Sequence, residues 1–250
     1  MLLSSWISVP DKSDFSLQNL PYGVFSPPGL PSDRRCCTVL GETVIDLTLL
    51  EEASLFDDIA PPGIFRGRVL NPFLECQRSV WNLVRKRLVD LLQQRGADAR
   101  LRDNQNLQKV AFHPLDSVTL HLPITVGDYT DYYSSREHAT NVGIMFRGQD
   151  NALQPNWLHL PVGYHGRSST IQVSGHTFHR PLGQLQKNPN DPTEGSVHGP
   201  SKLLDFELEV AAVVGGPPND GPMNIAQAKD RIFGYMLMND WSARDIQKWE

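Results

Sequence analysis

Apolar and polar positions repeat along this chain in two different rhythms, and each rhythm predicts an element. Residues 37–40 and 43–47 are two β-prone runs separated by Gly41-Glu42. A two-residue loop with glycine first predicts a hairpin closed by a type II′ turn. Between residues 71 and 94, Leu74, Val80, Leu83, Val84, Leu88 and Leu91 recur at helical spacing, which predicts an amphipathic core helix ending at Gly96. In residues 204–210, acidic Asp205, Glu207 and Glu209 alternate with Phe206, Leu208 and Val210, the period of a strand. Residues 232–239 read as a buried strand, followed by a helical start at Asp240-Trp241-Ser242. Ser134, with Glu137 three residues on, forms a capping-box pattern that predicts a helix through Met145. The first forty residues, rich in Pro, Gly and Ser, predict irregular structure, and residues 181–200 predict an exposed loop.

Composition narrows the class. With 40% hydrophobic and 20% charged residues over 250 positions, the chain is apolar enough to fold into one large domain or two modest ones. A net charge of −5 without a basic run argues against a nucleic-acid partner. No segment approaches the roughly 18 apolar residues of a membrane span. The Met1-Leu2-Leu3-Ser4-Ser5-Trp6 start lacks the basic and apolar regions of a secretory signal. Cys36, Cys37 and Cys76 are odd in number and two are adjacent, so buried or partly buried free thiols in a reducing, cytosolic setting are expected.

The candidate chemistry is acidic. Three carboxylates on one strand face repel one another unless solvent or a cation offsets them. By itself the pattern equally describes a strand with one wet and one buried face. Asp131 lies in a Gly-Asp-Tyr-Thr-Asp-Tyr-Tyr run, and Asp240 ends an apolar strand, a position that also suits a helix cap. If these residues converge with Glu207 and Glu209, the oxygen-only cluster suits Ca²⁺ or Mg²⁺ (Mn²⁺ less so) and not Zn²⁺. His138, early in its predicted helix, is either a general base or a surface histidine. Arg244 and Gln247, three residues apart on one helix side, either stabilise an oxyanion or are solvated. The chain has no Gly-x-Ser-x-Gly elbow and no glycine-rich phosphate loop, and His176 and His179 lack cysteine partners for zinc.

Four segments carry a family resemblance: residues 19–25 (Asn-Leu-Pro-Tyr-Gly-Val-Phe), 121–147, 161–167 (Pro-Val-Gly-Tyr-His-Gly-Arg) and 238–247 (Met-Asn-Asp-Trp-Ser-Ala-Arg-Asp-Ile-Gln). In them the chain resembles the fumarylacetoacetate hydrolase family over nearly its whole length. The resemblance implies a mainly β fold with some α. An N-terminal SH3-like barrel over residues 1–118 would precede a β-rich catalytic domain from 119 to 250, truncated on its C-terminal side. It implies Asp131, Glu207, Glu209 and Asp240 as ligands of Ca²⁺ and/or Mg²⁺, and omits Asp205. It implies His138 as the base that activates water, and Arg244 and Gln247 as oxyanion donors. Tyr133, Arg147, Tyr164 and Gln247 would bind a small diketo acid. The implied reaction splits 4-fumarylacetoacetate into fumarate and acetoacetate, the last step of tyrosine and phenylalanine degradation, in a cytosolic homodimer.

The family continues past Glu250 with a lysine of the oxyanion pocket and a glutamate that orients the base. The chain also stops inside a predicted helix, so a piece of a longer protein is expected, with an inactive piece as one alternative. A related hydrolase, isomerase or decarboxylase of another diketo or 2-oxo acid is the other.

Overall fold

The computed structural model describes residues 4–249; the Met1-Leu2-Leu3 start and Glu250, on which the signal-peptide and chain-end readings rest, lie outside the described residues. The chain forms two compact units, one holding residues through 125 together with 212–236, the other 126–211 and 237–250. The units therefore divide the chain differently from a single cut at residue 118.

In the first unit, β1 (Tyr22–Ser26), β2 (Arg35–Leu40), β3 (Thr43–Asp46), β4 (Phe112–Pro114) and β5 (Thr119–His121) make one antiparallel sheet in the order β4-β3-β2-β1-β5. It curls into a half-barrel, in keeping with the mainly β, barrel-like expectation. The predicted hairpin is present. Leu40 pairs with Thr43. Gly41 has φ +60°, while Glu42 is not in the left-handed region, which is the signature of a type II′ turn. A Cβ on Gly41 would lie 2.7 Å from the Ser8 carbonyl oxygen, so both backbone angle and space require glycine. The first forty residues are less irregular than expected, since they contain β1 and all of β2.

Asp46 ends β3 and caps α1 (Leu47–Glu52). Its Oδ1 accepts from the Leu49 N–H at 3.1 Å and its Oδ2 from Arg35 Nη1 at 3.0 Å. Burial pushes this carboxyl above the ordinary carboxylate range. Glu51, also buried, clasps the loop ahead of it: Oε1 accepts from the N–H groups of Gly63 at 2.9 Å and Ile64 at 3.0 Å. The cysteines are free, Cys36 and Cys37 buried and Cys76 partly so, as expected. Burial pushes the Cys36 thiol up to about 12, which leaves it inert as a nucleophile.

The helix predicted over residues 71–94 is instead two helices, α2 (Asn71–Leu74) and α3 (Arg78–Leu92). The carbonyls that would carry the helix onward are taken by other donors. Trp81 Nε1 donates to the Phe73 oxygen at 2.8 Å and the Gly216 N–H to the Leu74 oxygen at 2.6 Å. Nor does Gly96 end α3, which stops four residues earlier. Instead a Cβ at Gly96 would collide with the Asp90 carbonyl at 1.8 Å. Most of the apolar stripe meets expectation: Leu74, Val84, Leu88 and Leu91 are buried and Val80 partly so, but Leu83 is exposed, and Trp81 and Leu92 join the core instead, together with α4 (Gln105–Ala111), capped by Asn104. Phe73 sits at the centre, 4.8 Å ring to ring from Phe65, 5.2 Å from Tyr22 and 5.6 Å from Phe233. Each fully buried large side chain of this kind contributes about 1.5–3 kcal/mol.

The second unit is built of ribbons. β6 (Thr130–Tyr132) pairs with β7 (Gly163–His165) after the intervening α5 (Arg136–Arg147), and β8 (Leu182–Gln186) with β9 (Ser196–Pro200). β10 (Leu204–Asp205) and β11 (Leu208–Val214) follow; then come α6 (Ile225–Arg231), β12 (Ile232–Asn239), β13 (Ser242–Ala243) and α7 (Arg244–Gln247). β10 pairs with β13, and β11 with β12. Residues 212–214 of β11 and 232–236 of β12, with α6 between them, belong to the first unit.

Five expectations need correction here, the first that a helix starts at Asp240-Trp241-Ser242: Ser242 lies in β13, and the helix, α7, begins at Arg244. Residues 181–200 are a β-hairpin, not a loop; only the Asn-, Pro- and Asp-rich tip between its strands is one. The cap of α5 is Ser135 and not Ser134: its Oγ accepts from the His138 N–H at 3.3 Å, which puts Glu137 one place too early for a capping box. The 204–210 strand breaks after Asp205, and its faces are inverted. Phe206, Leu208 and Val210 are 63%, 74% and 69% exposed, while Glu207 is only 12% exposed. The acidic side takes cover because cationic and hydroxyl groups meet it there, and a two-stranded ribbon leaves its other side open. For the same reason 232–239 is a strand but not a buried one; Tyr235 and Leu237 are exposed.

Candidate metal and base site

Every residue of the site lies in the second unit. β6 places Asp131 opposite Tyr164 of β7. The Asp240 N–H donates to the Glu207 carbonyl at 3.0 Å, and the Glu207 N–H to Asn239 Oδ1 at 3.2 Å, so the start of β11 and the end of β12 are clamped together. One carboxylate oxygen from each of Asp131, Glu209 and Asp240 then lies within 4.8 Å of the others. Burial, followed by the charges of Asp131, Asp240 and Glu207, pushes Glu209 up to about 7. Burial and the charges of Glu207 and Asp131 raise Asp240 as well, against the pull of Arg244. The Tyr164 hydroxyl, half-covered and hydrogen-bonded to Asp131, is raised too. Three gathered carboxylates form an oxygen-only donor set suited to a hard divalent cation, whose charge would offset their repulsion.

The fourth predicted ligand, Glu207, stands beside this group and faces a different set of partners. Its Oε1 accepts from Ser242 Oγ at 2.6 Å and from Arg244 Nη1 at 2.8 Å; its Oε2 lies 3.2 Å from His138 Nε2. One carboxylate thus joins the predicted base to the predicted oxyanion donor. With Nε2 donating to Glu207, the Nδ1 lone pair of His138 is left to accept a proton. Arg244 is buried, and its Nη1 also donates to Gln247 Oε1 at 3.1 Å, which leaves the Gln247 amide N–H groups free to donate elsewhere.

Two predicted substrate residues stand apart. The Arg147 guanidinium donates to the Asn151 and Ala152 carbonyls at 3.1 and 2.7 Å, and among the described residues no hydrogen bond or ion pair ties it to the carboxylates. Tyr133 is anchored through its own carbonyl, which accepts from Trp157 Nε1 at 2.9 Å. Sequence reasoning overlooked Ser242 and left Asp205 idle; in fact Asp205 Oδ2 accepts from Arg244 Nε at 3.0 Å. Only the β10–β13 register, which sets Asp205 opposite Ser242, exposes this pairing.

Two family models match the chain: "Fumarylacetoacetase N-terminal" over residues 18–123 and "Fumarylacetoacetate (FAA) hydrolase C-terminal" over 128–250. Among curated relatives, the fumarylacetoacetase of Caenorhabditis elegans is 51% identical over 99% of this chain and 59% of its own length. That of Homo sapiens is 49% identical over 98% of the chain and 58% of its own length. That of Dictyostelium discoideum is 48% identical over the whole chain and 58% of its own. The chain thus spans a little under three-fifths of the relatives it matches. With both halves of one enzyme's model matched in order and about half of all positions identical, this chain belongs to the fumarylacetoacetase family.

Proposed function

We propose that this chain carries the metal and base groups of a hydrolase that splits 4-fumarylacetoacetate into fumarate and acetoacetate. The supporting observation is the convergence of Asp131, Glu209 and Asp240 beside a Glu207 that bridges His138 and Arg244. The three clustered carboxylates would hold Ca²⁺ or Mg²⁺, with Glu207 as the neighbouring fourth ligand. Such a cation, when bound, supplies Lewis acidity to an oxygen of the substrate.

The chain's own groups do the rest. His138 takes a proton from water at Nδ1, and the hydroxide attacks the carbonyl beside the scissile bond. Arg244 and the Gln247 amide hold the oxyanion that forms. Collapse of that adduct breaks the carbon–carbon bond, and the departing enolate takes up a proton to give acetoacetate. Tyr133, Tyr164 and Arg147 bind the substrate's polar ends, Tyr164 from beside Asp131. The relatives' shared name supports the substrate, and a cytosolic homodimer is the setting we propose for the full-length enzyme. No helix among the described residues is long and apolar enough to cross a membrane.

A calorimetric Ca²⁺ titration of the chain and of Asp240→Asn tests this reading. Stoichiometric binding, weakened at least about tenfold in the variant, is expected. A folded chain that binds neither Ca²⁺ nor Mg²⁺ would overturn the site. Where binding is seen, release of acetoacetate from the diketo acid tests the reaction itself.

A further inference from the structure

Arg244 is the most buried charged side chain of the second unit, and all its resolved partners lie on two sides of its guanidinium. Nε donates to Asp205 Oδ2 at 3.0 Å; Nη1 reaches Glu207 Oε1 at 2.8 Å and Gln247 Oε1 at 3.1 Å. Nη2 has no hydrogen-bond partner among the described residues. A guanidinium is a rigid planar fork, so fixing Nε and Nη1 fixes the direction of both Nη2 N–H groups. The backbone reinforces this. Asp205 faces Ser242 across the β10–β13 pair, and the Arg244 N–H donates to the Leu203 carbonyl at 2.9 Å.

We infer that Asp205, which belongs to no ligand set, is a positioning residue: it holds Arg244 from behind so that Nη2 is presented to the oxyanion. The inference rests on the proposed hydrolytic role of Arg244. Glu207 alone does not suffice, since it fixes one nitrogen and leaves the plane free to turn about that contact. Asp205 supplies the second point. Its carboxylate also offsets the charge of a buried arginine and is not one of the three gathered carboxylates.

The test has two readouts on the chain itself. In diketo acid hydrolysis, Asp205→Asn is expected to lower kcat about ten- to a hundredfold with KM within twofold, and Asp205→Glu to recover part of the loss. Unchanged kcat, or a loss confined to KM, would overturn the inference. The second readout needs no turnover: the solvent-exchange rate of the Arg244 Nε–H in side-chain ¹H–¹⁵N spectra, its signal assigned by its disappearance in Arg244→Lys. It is expected to rise at least about tenfold in Asp205→Asn, while the Ca²⁺ affinity stays put; an unchanged rate overturns the pairing. A chain that never hydrolyses the diketo acid but shows the rise in exchange refutes the proposed function and leaves the placement of Arg244 standing.

Discussion

The two units cover opposite kinds of residue. In the first, the side chains most removed from solvent are Phe56, Phe65, Phe73 and a shell of leucines around them, and its few buried charges, Asp46 and Glu51, are tied to nearby backbone N–H groups and an arginine each. In the second, few apolar side chains are buried, among them Ala139, Ala152 and Leu185, and the well-covered groups are Glu207 and Arg244. The first unit is organised by transfer of apolar surface out of water, the second by charge neutralisation among groups the chain has drawn together. The first arrangement is self-sufficient; the second is tolerable only while every carboxylate has a cation, a proton or a donor.

Three outcomes sharpen or break this contrast. The largest effect should follow from Phe73→Ala, which empties the middle of the first unit's aromatic cluster. A loss of about 3–5 kcal/mol in urea denaturation is expected, and a loss under about 1 kcal/mol would mean that the core is not organised around this ring. A smaller effect should appear with pH. Glu209, held up to about 7 against an ordinary value of 4.5, binds its proton more tightly folded than unfolded. In the absence of divalent cations the chain should therefore lose stability as pH rises from about 4.5 to about 7, and no further from this group above that. Thermal midpoints across that window should fall less steeply for Glu209→Gln; equal slopes would place the strain elsewhere. The smallest effect belongs to Leu208→Ser on the open side of β11, expected within about 0.5 kcal/mol of the parent in the same urea experiment. A cost like that of a core residue would show that this side is covered in solution.

What could be read from sequence divides along the same line. The 40–43 hairpin was legible because a Gly-first loop dictates its own backbone angles, and the stripe on α3 because burial follows helical period. The break at residues 75–77 was not, since it depends on a tryptophan and a distant glycine capturing two carbonyls. The alternation of Asp205 to Val210 was read with the right period and the wrong wetting. Period reports which side chains share a face, but what meets that face comes from Ser242, Arg244 and His138, 35 to 69 positions from Glu207 in the chain. The acidic residues and the base could be picked out singly; that Glu207 would turn toward His138 and Arg244 depends on register between segments.

The Glu51 clasp bears on how this chain can change its length. Because one carboxylate grips Gly63, twelve residues on, the ends of the intervening segment are fixed whatever lies between them. Doubling such a segment adds only about 0.6 kcal/mol of closure entropy. Insertions at the exposed Pro61-Pro62 step should therefore be absorbed while Leu55 and Phe56 keep their places in the core, whereas losing the single carboxylate at Glu51 would release the Gly63 end.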